Sequence, residues 1–314
     1  TGAPQSGRLM SGGQQSSVSP FRVWRTQVGM PAHAARGFAF TETAAILVQR
    51  IPDEPTIGDR EPVSLATVVD GGTEGDATYL KGFIAARGNH VHTWIITHAH
   101  DDHFGALTRL LADPQCPGIS RVLGSMPTAE WVRQHGYSKE DGVSYDKFLA
   151  ALATAGKQIQ DLPKDTAFNI DGVLFEVLAG HNPEITNNAI NNSSLVMRLK
   201  SRSLDILFLA DLGAEGGRAL MASIPAGRLR ADYLQMAHHG QNGVDEAFYK
   251  TVNPKVCLWP TPDWLWDNNS GKGKGSGPWQ TLEVRRWMQS LGVRKHIVMK
   301  DGLALIGPQN QRVP

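Results

Sequence analysis

One stretch, Thr97-His98-Ala99-His100-Asp101-Asp102-His103, constrains this chain more than any other, because it crowds imidazoles and carboxylates directly behind the apolar run Thr93-Trp94-Ile95-Ile96. Such a run reads as a buried strand. A buried strand that ends in ionisable residues delivers them to a strand-to-helix corner, where parallel α/β sheets present groups to ligands. In extended geometry His98 and His100 point to one side and can grip one ion. The turn that follows sends Asp102 and His103 toward a neighbouring position, where a second ion can sit. Imidazole with carboxylate suits zinc or a similar first-row divalent cation. The competing reading, a surface turn with chance histidines, leaves the further ligand-type residues downstream unexplained.

At 314 residues, 41% hydrophobic and 19% charged, the chain can bury one large core or two modest ones. A formal net charge of +1 gives no general attraction to nucleic acid or to an anionic membrane, so a polyanion would be held only locally. No run approaches the roughly 18 apolar residues of a membrane span. Cys116 and Cys257 lie far apart and outside any zinc-type pair, and read as two unrelated thiols rather than one disulfide. The compartment stays open, cytoplasmic or secreted after removal of a leader.

Residues 1–20, rich in Gly, Ser, Gln and Pro, read as a flexible tail, and 21–314 as a single domain. Strands are expected at Phe21–Trp24, Phe38–Phe40, Ala44–Gln49 and Leu65–Val69, with a Pro-rich surface connection over Ile51–Pro62. Asp76–Arg87 has helical spacing, strand 93–97 follows, and a helix runs from about Phe104 to Leu111. Residues 127–160 read as a largely helical insertion over the active face. Further strands are expected at Val173–Leu178, Ser194–Leu199, Asp205–Ala210, Asp232–Ala237, Val256–Trp259, His296–Met299 and Leu303–Ile306. Helices fall at Ala214–Ile224, Val244–Val252 and Leu282–Leu291. This order fits an α/β sandwich of two sheets with outer helices better than one doubly wound sheet.

Four stations of ligand-type residues recur at strand ends: Asp70-Gly71-Gly72, His98 to His103, Asp211, and His238-His239-Gly240. On these the chain resembles the metallo-β-lactamase superfamily of αββα hydrolases over about residues 21–307. Asn191-Asn192-Ser193-Ser194-Leu195-Val196, Leu209-Ala210-Asp211 and the His-His-Gly triplet are similar to its DNA-internalisation and phosphorylcholine-esterase branch. The Asp-Val-Gly-Gln-Gly-Asp opening usual in that branch is missing between Phe21 and Thr43.

The resemblance implies two divalent ions, zinc first and Mn2+ or Fe2+ as alternatives. His98 and His100 would bind the first, Asp102 and His103 the second, and Asp211 both. His239 is preferred as the remaining ligand and His238 as a group touching substrate, although the two roles can be exchanged. Asp70 would orient a ligating imidazole. His181, in Ala179-Gly180-His181-Asn182, stands where a third histidine of the first site is expected, with Asn192 as the alternative. The implied chemistry is hydrolysis by metal-bound hydroxide, with Asp102 or His238 moving the proton to the leaving group. A small-molecule phosphoester or phosphodiester is the favoured substrate. A lactone, lactam or thioester is the alternative, and a recognition domain without turnover is a third reading.

Pro260–Trp279 holds Trp264, Trp266 and Trp279 with Lys272 and Lys274 in a long loop, which either stacks on substrate or anchors itself to the core. His33, His90, His92, His135 and His296 have no partners at ligand spacing. No Gly-x-Ser-x-Gly elbow is present, and neither cysteine lies in a nucleophile motif.

Overall fold

The computed structural model describes residues 37–40, 46–49, 65–170, 172–201, 204–302 and 304–306. The tail, the strand expected over Phe21–Trp24 and the connection over Ile51–Pro62 lie outside them. The described strands form two sheets of seven. The first runs β14 (Ala304–Ile306), β1 (Gly37–Phe40), β2 (Ile46–Gln49), β3 (Leu65–Val69), β4 (His90–Ile96), β5 (Gly118–Gly124), β6 (Ile159–Asp161). The second runs β13 (Lys295–Val298), β12 (Val256–Trp259), β11 (Tyr233–Gln235), β10 (Asp205–Phe208), β9 (Val196–Lys200), β8 (Val173–Ala179), β7 (Ala167–Ile170). Strands β3 to β6 are mutually parallel, as are β10 to β13.

The helices are α1 (Ala77–Ala85), α2 (Asp101–Leu111), α3 (Ala129–His135), α4 (Lys139–Thr154), α5 (Ala189–Asn192), α6 (Ala214–Ser223), α7 (Ala226–Leu229), α8 (Glu246–Val252), α9 (Asp263–Trp266) and α10 (Thr281–Ser290). A strand turns successive side chains to opposite faces, and this period builds three apolar layers. Ile95, Phe175, Val177, Ile206, Phe208 and Leu258 fill the space between the sheets. Trp94 and Ile96 face outward onto Phe104 and Leu107 of α2 and Phe148 of α4. Leu207, Cys257 and Trp259 face the other way, onto Phe248, Val284 and Met288. Each such side chain contributes about 1.5–3 kcal/mol by leaving water. The result is the expected αββα sandwich.

Local differences have physical causes. Strand β5 was not expected because Ser120 and Arg121 break its apolar pattern; Arg121 is accommodated by donating Nε–H to Thr93 Oγ1 at 2.9 Å. Strands β6 and β7 carry exposed polar residues, Gln160, Asp161 and Asn169, that hide an apolar pattern. Helix α2 starts at Asp101 and not at Phe104, with His100 as its extended N-cap residue, so Asp101 and Asp102 sit in the first turn, where the helix dipole favours carboxylates. Within 127–160, α4 buries Tyr145, Phe148 and Leu152 in the outer layer of the first sheet. Both cysteines are free thiols. The C-terminal ends of β3, β4, β10 and β11 share one edge of the sandwich, where Leu195 N–H donates to Thr97 O at 2.8 Å and joins the two sheets.

Candidate metal centre

Asp70 follows β3 with φ of 58°, a left-handed conformation that a residue with a Cβ adopts only under constraint. Its carboxylate supplies that constraint. Oδ1 accepts from Thr97 N at 2.8 Å, and Oδ2 accepts from Thr97 Oγ1 and from His103 Nδ1, both at 2.8 Å. His103 therefore keeps a proton on Nδ1 and turns Nε2 inward, buried and without a hydrogen-bond partner. The Thr97 hydroxyl has spent its proton on Asp70, so it accepts from His98 Nδ1 at 3.1 Å. That leaves the lone pair of His98 Nε2 aimed at His100 Nδ1, 3.1 Å away.

The second sheet contributes through two strained turns. Ala210 has φ of 47°, and Asp211 beyond it donates N–H to Ser194 Oγ at 3.1 Å. His238 and His239 have φ of 49° and 56°, and Gly240 follows at 79°. A Cβ on Gly240 would stand 2.4 Å from the Trp259 ring, so only glycine fits there. His239 Nδ1 donates to Pro260 O at 2.9 Å, which turns Nε2 toward the two carboxylates. His238 Nδ1 donates to Asn242 O at 3.1 Å.

Asp211 Oδ2 is the hub. It lies 3.3 Å from His239 Nε2, 3.5 Å from His103 Nε2, 3.8 Å from His238 Nε2 and 3.9 Å from His98 Nε2. Asp102 Oδ2 is 3.1 Å from His239 Nε2, and Asp102 Oδ1 is 3.8 Å from His103 Nε2. Ligands about 2.0–2.2 Å from a tetrahedral zinc stand roughly 3.3–3.6 Å apart. His239 Nε2 and His103 Nε2 stand at that spacing from Asp211 Oδ2, and the N/O donor set and the orphaned His103 Nε2 fit a divalent cation. Asp102, His103, Asp211 and His239 offer atoms that all lie within 4.8 Å of one another. His98 Nε2 lies 3.9 Å from the same Asp211 oxygen, and His100 adjoins His98 at 3.1 Å.

Charge follows the same geometry. Burial, with His103 beside it, holds His98 well below the usual histidine range, and burial lowers His100. Burial also acts to lower His103 and His239, but Asp211 and Asp102 outweigh it, raising His103 well above its ordinary value and His239 to about 10. Against burial, His103 and His239 depress Asp102, and the same two histidines hold Asp211 well below the carboxylate range. The edge thus concentrates negative charge that protons neutralise and a metal ion can replace.

His181 does not join this group. Its Nδ1 meets Ser193 Oγ at 3.0 Å and its ring meets Trp131 edge-on, centroids 4.6 Å apart. Asn192 is occupied elsewhere, accepting from Gly216 N at 2.8 Å in the first turn of α6 and donating to Asn187 O at 2.9 Å. The Pro260–Trp279 segment is an organised finger containing α9. Asn269 Oδ1 accepts from Gly271 N and Gly273 N, and Asn268 Oδ1 from Trp279 N. Lys274 pairs with Asp267 at 3.0 Å. His296 accepts from Trp259 Nε1, and His90 meets Ser120 Oγ. Sequence reasoning missed Thr97 and Gln235; the available signal for Gln235 was a lone polar residue within an otherwise apolar strand.

Histidines and aspartates converging from the parallel strand ends of an αββα sandwich define a metal-binding α/β fold of the metallo-β-lactamase type. The model of the metallo-beta-lactamase superfamily matches residues 64–245, and the chain belongs to that superfamily. ComE operon protein 3 of Bacillus subtilis (strain 168) is 28% identical over 233 residues, 74% of this chain and 26% of that protein. The chain thus spans about a quarter of that relative's length. The metallo-beta-lactamase fold protein YhfI from Bacillus subtilis aligns with a TM-score of 0.50 at 13% identity, over 87% of this chain and 100% of that one. CmlA, a diiron beta-hydroxylase from Streptomyces venezuelae, aligns with a TM-score of 0.52 at 12% identity, over 88% of this chain and 55% of that one. These two likenesses are of fold. Among the described residues, no helix is long and apolar enough to cross a membrane.

Proposed function

We propose that this protein is a hydrolase dependent on two divalent cations, zinc being the ion the donor set suits, and that it acts on a phosphoester or phosphodiester. The observation that carries the reading is the ring of histidine Nε2 atoms around Asp211 Oδ2, where a metal ion would take the place of protons. His98 and His100 would hold one ion, Asp102, His103 and His239 the other, and Asp211 both; His181 is left out. Bound ions supply Lewis-acid polarisation of the ester and lower the pKa of water from ~16 toward ~7. Asp70 and Thr97 fix the tautomers of His98 and His103 beforehand, so no imidazole has to reorient. His238, its Nε2 on the hub and its ring partly exposed, is placed to move a proton to the leaving group.

The aromatic finger supports a substrate with a planar group. Trp264, 49% exposed, meets Trp279 edge-on with centroids 4.8 Å apart. The neighbouring Gln280 N–H donates to Asn242 Oδ1 at 3.0 Å, and Asn242 also accepts from His238. The pair therefore adjoins the histidine turn. In a metal-verified preparation, bis(p-nitrophenyl) phosphate should be turned over far faster than nitrocefin or a simple lactone. Trp264→Ala should raise KM more than it lowers kcat. Lactone or lactam hydrolysis without phosphodiester activity overturns the substrate assignment. Bound metal with no turnover of any of these marks a recognition domain.

A further inference from the structure

We propose that Gln235 is the positioning residue that sets both candidate metal positions at once, by tying the turn that aims Asp211 to the turn that aims His239; this rests on the two-metal reading above. Gln235 ends β11, and the period of two directs its side chain into the layer between the sheets, where it is 5% exposed. Its Oε1 accepts from Leu209 N at 2.9 Å and from Ala210 N at 2.7 Å. Its Nε2 donates to Met236 O at 2.6 Å and to Ala210 O at 3.3 Å. An amide side chain offers two N–H donors and a two-lone-pair acceptor, so every capacity is used. A carboxylate lacks the donors, and an apolar side chain lacks all four.

These bonds end at the two turns that carry the hub. Ala210 is held at φ of 47°, and the next residue is Asp211, whose Oδ2 both positions share. Ala210 O also accepts from His238 N at 2.9 Å, so one carbonyl group links Gln235 to the histidine turn. Gln235 further walls a cavity of about 20 Å3 beneath the centre with Asp70, Thr97, His103, Asp211 and His239. His98 and His103 are held separately, by Asp70 and Thr97 of the first sheet. Gln235 is the counterpart of Asp70 in the second sheet, bonding only backbone groups where Asp70 also holds a ring.

The test is a Co2+ titration of the metal-stripped, folded protein in the cold, followed by Zn2+ in competition with a chelator. Gln235→Met fills the space but makes none of the four bonds. Its affinity should fall about 10–100-fold, with the visible absorption bands of bound Co2+ shifted because the hub oxygen has moved. Leu152→Ala, in the outer layer of the first sheet, serves as a variant that loses stability without touching either turn, and should titrate like the wild type. If Gln235→Met fails to fold, Gln235→Glu carries the test; as the neutral carboxylic acid that two facing carbonyl oxygens favour, it keeps the two accepted bonds and donates one O–H to Met236 O, and should fall between wild type and the larger loss. A folded Gln235 variant with wild-type affinity and Co2+ spectrum overturns the proposal. So does an equal loss in Leu152→Ala, which would trace the effect to stability. A wild type that takes up no Co2+ overturns the two-metal reading, whereas uptake by wild type and variant alike overturns only the role of Gln235.

Discussion

Raising the pH of the metal-stripped protein should weaken it through His239. That imidazole is partly buried between Asp102 Oδ2 at 3.1 Å and Asp211 Oδ2 at 3.3 Å, and the two carboxylates outweigh desolvation to raise its pKa from 6.5 to about 10. A histidine whose folded pKa lies above its unfolded value stabilises fully below the unfolded value and loses that contribution as pH rises through the folded one. At about 1.36 kcal/mol per unit, the whole contribution is ~5 kcal/mol, of which ~3 kcal/mol should vanish between about pH 6.5 and 9. His103, also raised, acts in the same direction. The depressed carboxylates Asp102 and Asp211 contribute with opposite sign, and only as pH falls below the ordinary 3.8, outside this window. Urea unfolding of stripped wild type and His239→Gln across that range measures the effect, and the variant should show a shallower fall. A stripped wild type whose unfolding free energy changes by less than about 1 kcal/mol, or a His239→Gln that falls as steeply, refutes the charge assignment. Zinc affinity should rise with pH over the same interval, since the ion must displace those protons.

On the two-ion proposal Asp211→Ala should lose affinity for both ions, because its Oδ2 would serve both; elemental analysis finding two tightly held metals in that variant would exclude the shared role. His239→Ala should lower metal content, whereas His238→Ala, whose ring is partly exposed at the rim, should retain metal and lose turnover; the opposite pattern exchanges the two roles. Gly240→Ala should destabilise by about 3 kcal/mol or more, combining a left-handed φ of 79° with a Cβ 2.4 Å from Trp259, and an unchanged denaturation midpoint would count against that geometry.

The sequence by itself determined whatever depends on a residue's near neighbours. The two-residue spacing of His98 and His100 after an apolar strand brings their nitrogens to 3.1 Å, and the strand period sorts Trp94 outward and Ile95 inward. The αββα order was legible for the same reason, because burial leaves a periodic trace in each strand. Tertiary structure decided which of these elements meet. Asp102 and His239 stand 137 residues apart yet share a hydrogen bond, and no local pattern encodes that pairing. It also left expected residues outside the four that meet: His181 rests on Ser193 and Trp131, and Asn192 meets the first turn of α6. Gln235 and Thr97 act on partners that strand pairing and the sheet-to-sheet contact bring to them. Periodicity records how deeply a side chain is buried, but the partner a buried polar group finds depends on how the two sheets are stacked.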